Sequence, residues 1–131
     1  MDFTRKKYRE LLVALQNKGY AAITFAEYMQ GQRPERFVIL RHDVDKKPKN
    51  SLATARLEAS LGIKASYYFR AVPESWDDSI IKEIARLGHE VGYHYESLAT
   101  CKGDASAALD NFQSNLAKLR ELTPVTIARS E

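Results

Sequence analysis

Phe37-Val38-Ile39-Leu40-Arg41-His42-Asp43-Val44-Asp45 is the stretch on which the fold of this chain turns. Its opening apolar run, with no polar alternation, suits a strand buried on both faces, as in a parallel sheet flanked by helices. The pattern predicts a strand over 37–42. In such sheets ligands bind beyond the carboxyl ends of the strands, and Arg41, His42, Asp43 and Asp45 fall where this strand should run out. Carboxylates crowded together at a strand end are costly unless a cation or hydrogen-bond donors neutralise them. The cluster reads as a site. Its plainer alternative is a pair of loop carboxylates that cap backbone N–H groups or face Lys46 and Lys47.

Helix and strand patterns alternate on either side. Tyr8, Leu11, Leu12 and Leu15 form one apolar stripe of a helix over 4–18, stopped by Gly19. Thr24 and Glu27 have the spacing of a capping box, and Ile23 and Tyr28 that of a hydrophobic staple, so a short helix starts there. Lys46-Lys47-Pro48-Lys49 is expected as a loop, with Asn50 or Ser51 capping a helix that runs to Leu61 and closes at Gly62. Ala65, Tyr67 and Phe69 alternate as a second strand over 64–70. Ser75 or Asp77 caps a helix striped by Ile80, Ile81, Ile84 and Leu87 and ended by Gly88. A third strand over 89–94, a long helix from Asp104 to Leu122 with Leu109 on its apolar stripe, and a fourth strand over 125–127 complete the order. The expectation is an α/β fold: a mostly parallel sheet of about four strands with flanking helices. That is too few strands to close a barrel of ~8, and the exposed sheet edges invite a homo-oligomer.

At 131 residues the chain is long enough for a single domain, 1–131, with its own core. The formal charge is +3, and much of the surplus lies in Arg5, Lys6, Lys7 and Arg9, read as a solvated helix face in preference to a phosphate contact. No aromatic residues interleave with a basic stripe, so no nucleic-acid partner is expected. No apolar stretch approaches the ~20 residues of a membrane span, and the opening residues lack an apolar signal core. Cys101 is the only cysteine, which excludes an intrachain disulfide and a cysteine-based zinc site. A cytoplasmic protein with no membrane partner is the expectation.

A second polar cluster is Gly88-His89-Glu90-Val91-Gly92-Tyr93-His94-Tyr95-Glu96. With a strand over 89–94, His94 and Glu96 stand at its carboxyl end, level with Asp43 and Asp45. Residues two apart on extended chain point the same way, so His94 and Glu96 could converge with Asp45 on one ion. Carboxylate and imidazole together suit zinc, manganese, iron or cobalt. His89 opens the strand at the other end and is read as structural, and Glu90 as solvated or salt-bridged.

Leu40-Arg41-His42-Asp43-Val44-Asp45 followed by Gly88-His89-Glu90-Val91-Gly92-Tyr93-His94 resembles the first two motifs of the polysaccharide deacetylases, the metal-dependent carbohydrate esterases with the chitooligosaccharide deacetylase homology domain. The resemblance implies a distorted parallel (β/α) barrel, of which this chain would hold the N-terminal half. It also implies a divalent metal, zinc or a similar ion, and removal of N- or O-acetyl groups from a sugar or glycan precursor. Asp43 matches the family's general base, Asp45 a metal-binding aspartate and His94 a metal histidine. The second metal histidine falls at Leu98, for which Glu96 is the nearest substitute, and Tyr95 replaces a Ser/Thr. The later arginine-proline segment and leucine-x-histidine acid have no counterpart before Glu131. The chain is therefore expected to be half of the usual domain or a reduced relative, with His42 or His89 left to protonate the leaving amine. Arg41 would neutralise Asp43 or steer an anionic substrate. Trp76, in the loop after the second strand, would be a sugar platform or loop packing, and Tyr95 would line the cleft. Two other functions compete: a non-catalytic carbohydrate-binding or assembly module on the same scaffold, and an Asp-x-Asp phosphohydrolase with Asp43 as nucleophile, which Lys46-Lys47-Pro48 does not fit.

Overall fold

A computed structural model of the chain describes residues 4–44, 47–95, 104–123 and 128–130, with backbone alone at 95 and 128–130. The elements are α1 (Arg5–Asn17), β1 (Ala21–Ala22), α2 (Phe25–Met29), β2 (Phe37–Val38), β3 (Arg41–Val44), α3 (Pro48–Ser60), β4 (Ser66–Phe69), α4 (Asp78–Arg86), β5 (Glu90–Tyr95), α5 (Ala105–Leu122) and β6 (Ala128–Ser130). The fold is mixed α/β. Strands β3-β4-β5-β6 form one sheet in that order, all parallel, with Val44 level with Phe69 and Phe69 with Tyr93. A second small parallel sheet joins β1 to β2. Among the described residues the main sheet is open, not a closed barrel, and no helix is long and apolar enough to cross a membrane.

The apolar run is not one strand. Phe37 and Val38 pair with Ala21 and Ala22, and the strand that enters the main sheet begins at Arg41. Leu40, just before it, packs its side chain against the core and accepts the Ser66 N–H on its carbonyl at 2.9 Å. The charged cluster therefore does not mark the strand's end; Arg41, His42 and Asp43, with Val44, make up the strand itself. Alternation along it sends His42 and Val44 to one face and Arg41 and Asp43 to the other.

The long helices pack on one face. Val44, Tyr67, Phe69, Val91 and Tyr93 from the strands meet Ala55 of α3, Ile80, Ile81 and Ile84 of α4, and Leu119 of α5 in a single core. Each isoleucine removed from water there contributes about 1.5–3 kcal/mol. Asp77 caps α4 by accepting the Ile80 N–H at 3.1 Å, and Asp104 caps α5 by accepting that of Ala107 at 3.0 Å. Gly88 closes α4 at φ +99°, a conformation that disfavours any residue with a Cβ.

Two expectations shift. Neither Asn50 nor Ser51 caps α3: the cap position is Lys47 and the helix starts at Pro48, because a proline at the first helical position has no N–H to lose. Leu11 and Leu109, read into apolar stripes, are 45% and 55% exposed. The fourth strand expected over 125–127 lies outside the described residues, while Ala128–Ser130 pairs with β5.

Candidate functional site

The face of the sheet turned away from the long helices carries Arg41 and Asp43 of β3, Ser66 and Tyr68 of β4, and Glu90, Gly92 and His94 of β5. Its amino end is closed by α2, which begins at the capping box of Thr24 and Glu27. There the Phe25 N–H donates to Ser66 Oγ at 3.3 Å, the Ala26 N–H to Glu90 Oε2 at 3.0 Å, and Ser66 Oγ to Glu90 Oε1 at 2.9 Å. Burial pushes the Glu90 carboxyl above its ordinary range; the bonds from Ser66 and Ala26 oppose this, and the charge of Glu27 adds to it. Glu90 thus anchors a helix, where the sequence suggested a solvated or salt-bridged residue.

Toward the carboxyl end of the same face stands His94. It is 7% exposed, and neither ring nitrogen has a hydrogen-bond partner among the described residues. A buried polar group left without a partner costs roughly 1–3 kcal/mol. Asp43 lies level with Tyr68 and Gly92, two strands from β5 and so about 10 Å to the side. Gly92 contributes no side chain between them. Arg41 Nε stands 3.8 Å from Asp43 Oδ1, with the two side chains 54% and 29% exposed; such a pair contributes no more than about 1 kcal/mol. Asp45 and Glu96, the other expected metal ligands, and the side chain of Tyr95 lie outside the described residues. Among the described residues no group of three or more His, Cys, Asp or Glu side chains is placed to hold a metal ion. Of the described side chains on this face, His94 is the one that could serve as a metal ligand near the carboxyl end, an imidazole with neither nitrogen partnered among the described residues, while the Asp43 carboxylate stands to the side.

His42 points the other way. Its Nε2 sits 2.8 Å from Glu58 Oε2, its ring stacks on Tyr67 with centroids 4.6 Å apart, and Tyr8 meets it edge-on. Neighbours on a strand face opposite sides, so the structure does not bring His42 to Asp43. Glu58, fully buried on α3, also accepts the Tyr8 hydroxyl at 2.6 Å and that of Tyr67 in a short bond. Burial alone would raise the Glu58 carboxyl, but hydrogen bonds from His42, Tyr67 and Tyr8, with the charge of His42, outweigh it and hold the group below its ordinary value. Burial first, and Glu58 second, drive the phenols of Tyr8 and Tyr67 far above theirs.

His89 is 5% exposed and spends both nitrogens on backbone: Nδ1 accepts the Ala65 N–H at 3.0 Å, and Nε2 donates to the Ala55 carbonyl at 2.8 Å. That pattern requires the neutral ring with its proton on Nε2. Trp76 donates its indole N–H to Asp78 Oδ1 at 2.6 Å and lines a cavity of about 270 Å³ with Val72, Pro73, Asn115 and Lys118. That cavity lies between the β4–α4 loop and α5, on the helix side, so Trp76 is not gathered with His94. Ser75, buried in the same loop, donates to the Val44 carbonyl and accepts the Arg70 N–H at 3.0 Å, which ties the loop to the end of β3.

Sequence reasoning missed Glu58 and its pairing with Tyr8, Tyr67 and His42. One signal was available: Leu52, Ala55 and Glu58 share a helical phase, which puts a glutamate on an inward stripe. Tyr8 was counted as apolar, although a buried phenol needs a partner. No family model, curated protein or solved structure matches this chain.

Proposed function

We propose that the chain is a deacetylase-like hydrolase of the polysaccharide deacetylase type, built on an incomplete (β/α) barrel. It would use a divalent ion, zinc first among them, to release acetate from an N- or O-acetylated sugar or glycan precursor. His94 carries the proposal: a buried imidazole near the carboxyl end of a parallel strand, both nitrogens unpartnered among the described residues, on the face that holds Asp43. The carboxyl ends of such strands are where α/β sheets bind ligands. The paired Arg41–Asp45 and Gly88–His94 motifs supply the chemical class.

In this reading His94, Asp45 and Glu96 hold the ion. The chemistry it supplies when bound is activation of water and polarisation of an acyl carbonyl. Asp43 accepts the proton of the attacking water on its carboxylate, and Arg41, paired with it at 3.8 Å, holds that carboxylate on the polar face. His42 and His89 are committed on the other side of the sheet, so the proton for the leaving group is assigned to neither.

The test starts from chelated full chain titrated with zinc and cobalt, with acetate release measured on a panel of N- and O-acetylated sugars. The expected outcome is one ion per chain, lost in His94→Ala and in Asp45→Ala, and acetate release lost in Asp43→Asn although that variant keeps its ion. Absence of stoichiometric metal binding would falsify the hydrolase reading. An ion bound with no acetate released from any sugar would replace it with a non-catalytic carbohydrate-binding module on the same scaffold.

A further inference from the structure

On the helix side of the sheet, α1, α3 and β3 border a cavity of about 250 Å³ lined by Arg5, Tyr8, His42 and Thr54. We infer that this cavity is a binding site for a small phosphate-class oxyanion, held between the Arg5 guanidinium and His42 Nδ1. It is separate from the proposed metal site, which lies on the opposite face.

The lining explains the class of ligand. Among the described residues no acidic side chain lines the cavity, and Arg5 pairs with no carboxylate. The carboxylate beneath it, Glu58, already receives Tyr8, Tyr67 and His42. Those contacts also fix the His42 ring. With Nε2 held on Glu58 and the side chain 27% exposed, Nδ1 is the nitrogen left for the cavity. A carboxylate that orients one ring nitrogen so that the other meets a ligand is a recurring way to present imidazole. The Thr54 hydroxyl donates to the Asn50 carbonyl at 3.1 Å, so toward the cavity it offers lone pairs that a protonated phosphate oxygen can meet. Lys6, Lys7 and Arg9 extend the positive field along α1, whose first turn holds no acid. The volume lies below the ~300 Å³ at which pockets for drug-sized ligands begin, which fits an ion or a short monoester.

The chain has three histidines, and His89 and His94 are buried, so the His42 ring can be tracked by NMR with two internal controls. Full chain labelled on histidine is titrated with inorganic phosphate and, separately, with glycerol phosphate, at fixed pH and constant ionic strength. The expected result is a saturable shift of the His42 ring with His89 and His94 unmoved. Arg5→Ala weakens binding about tenfold, the loss of one charge-assisted hydrogen bond, while Arg5→Lys retains most of it; unchanged His89 signals show the fold intact. Tighter binding of the monoester assigns the occupant to a phosphorylated metabolite, and the reverse to the free ion. A shift that does not saturate, that chloride reproduces, or that Arg5→Ala leaves undiminished overturns the site. None of these outcomes touches His94, so failure here and failure of the hydrolase reading remain distinguishable.

Discussion

His89 and His94 stand at the two ends of β5, nearly equally buried at 5% and 7%, and their surroundings differ completely. At His89 every ring nitrogen is answered by backbone, 2.8 and 3.0 Å away. At His94 neither is answered by any described residue. Buried polar atoms are almost always paired in native proteins, so a satisfied ring belongs to the architecture, and one that no described residue answers is where the ligand is proposed. The same division holds for the sheet as a whole. On the helix side Glu58 gathers three donors. On the other face, toward the carboxyl end, an imidazole is held out of water with no described group to bond.

The largest effect expected is at Glu58. Glu58→Ala leaves the Tyr8 and Tyr67 hydroxyls and His42 Nε2 without their common acceptor, and breaking a buried pair by removing one partner costs about 3–5 kcal/mol. A shift of the urea midpoint at unchanged slope measures it. A cost under about 1 kcal/mol would mean that the helix-side cluster is not structural, and the contrast with His94 would collapse.

The histidines test the contrast directly. His89→Leu strands the Ala65 N–H and the Ala55 carbonyl, at roughly 1–3 kcal/mol each, so a loss of about 2–4 kcal/mol is expected. His94→Leu removes two atoms that have no partner among the described residues, and in chelated protein it should be neutral or stabilising by up to about 1 kcal/mol. Zinc should then raise the melting temperature of the parent chain and leave that of His94→Leu where it was. Equal destabilisation by both substitutions would show that His94 is as structural as His89.

How far these sites were legible in sequence depended on how local their physics is. The Thr24–Glu27 capping box was readable, and Asp77 was one of two residues read as the α4 cap, because each acts within one helical turn. Strand β3 was not, because an apolar run has no feature that says where one sheet ends and the next begins. Placing Arg41, His42 and Asp43 where the strand runs out made them appear to share a site, and placing all three in the middle of its pairing separates them by parity. Glu58 was hidden for another reason. A glutamate on a helix is ordinarily solvated, and its partners Tyr8 and Tyr67 lie fifty and nine residues away in the chain. His94 was singled out by its motif, but its unpartnered state became visible only in the fold.

The smallest effects come from pH, and their signs differ at the two limits. The Glu58 carboxyl lies below its ordinary value in the folded chain, so its contribution is complete above the usual glutamate range near ~4.3 and fades as pH falls toward the folded value. Tyr8 and Tyr67 lie above theirs, so their contribution is complete below ~10 and declines as the phenols of the unfolded chain ionise while the folded ones do not. Each group changes stability by at most about 1.4 kcal/mol per pH unit, and neither acts between about pH 5 and 9. Denaturant midpoints measured across pH should therefore show a plateau with two falling limbs. Glu58→Gln should flatten the acid limb by removing the titrating group, and Tyr8→Phe should shallow the alkaline limb by one phenol of the two. An acid limb unchanged in Glu58→Gln would place the titrating carboxylate elsewhere, with Glu90 excluded by direction: its value is raised in the fold, so protonation at low pH favours the folded state.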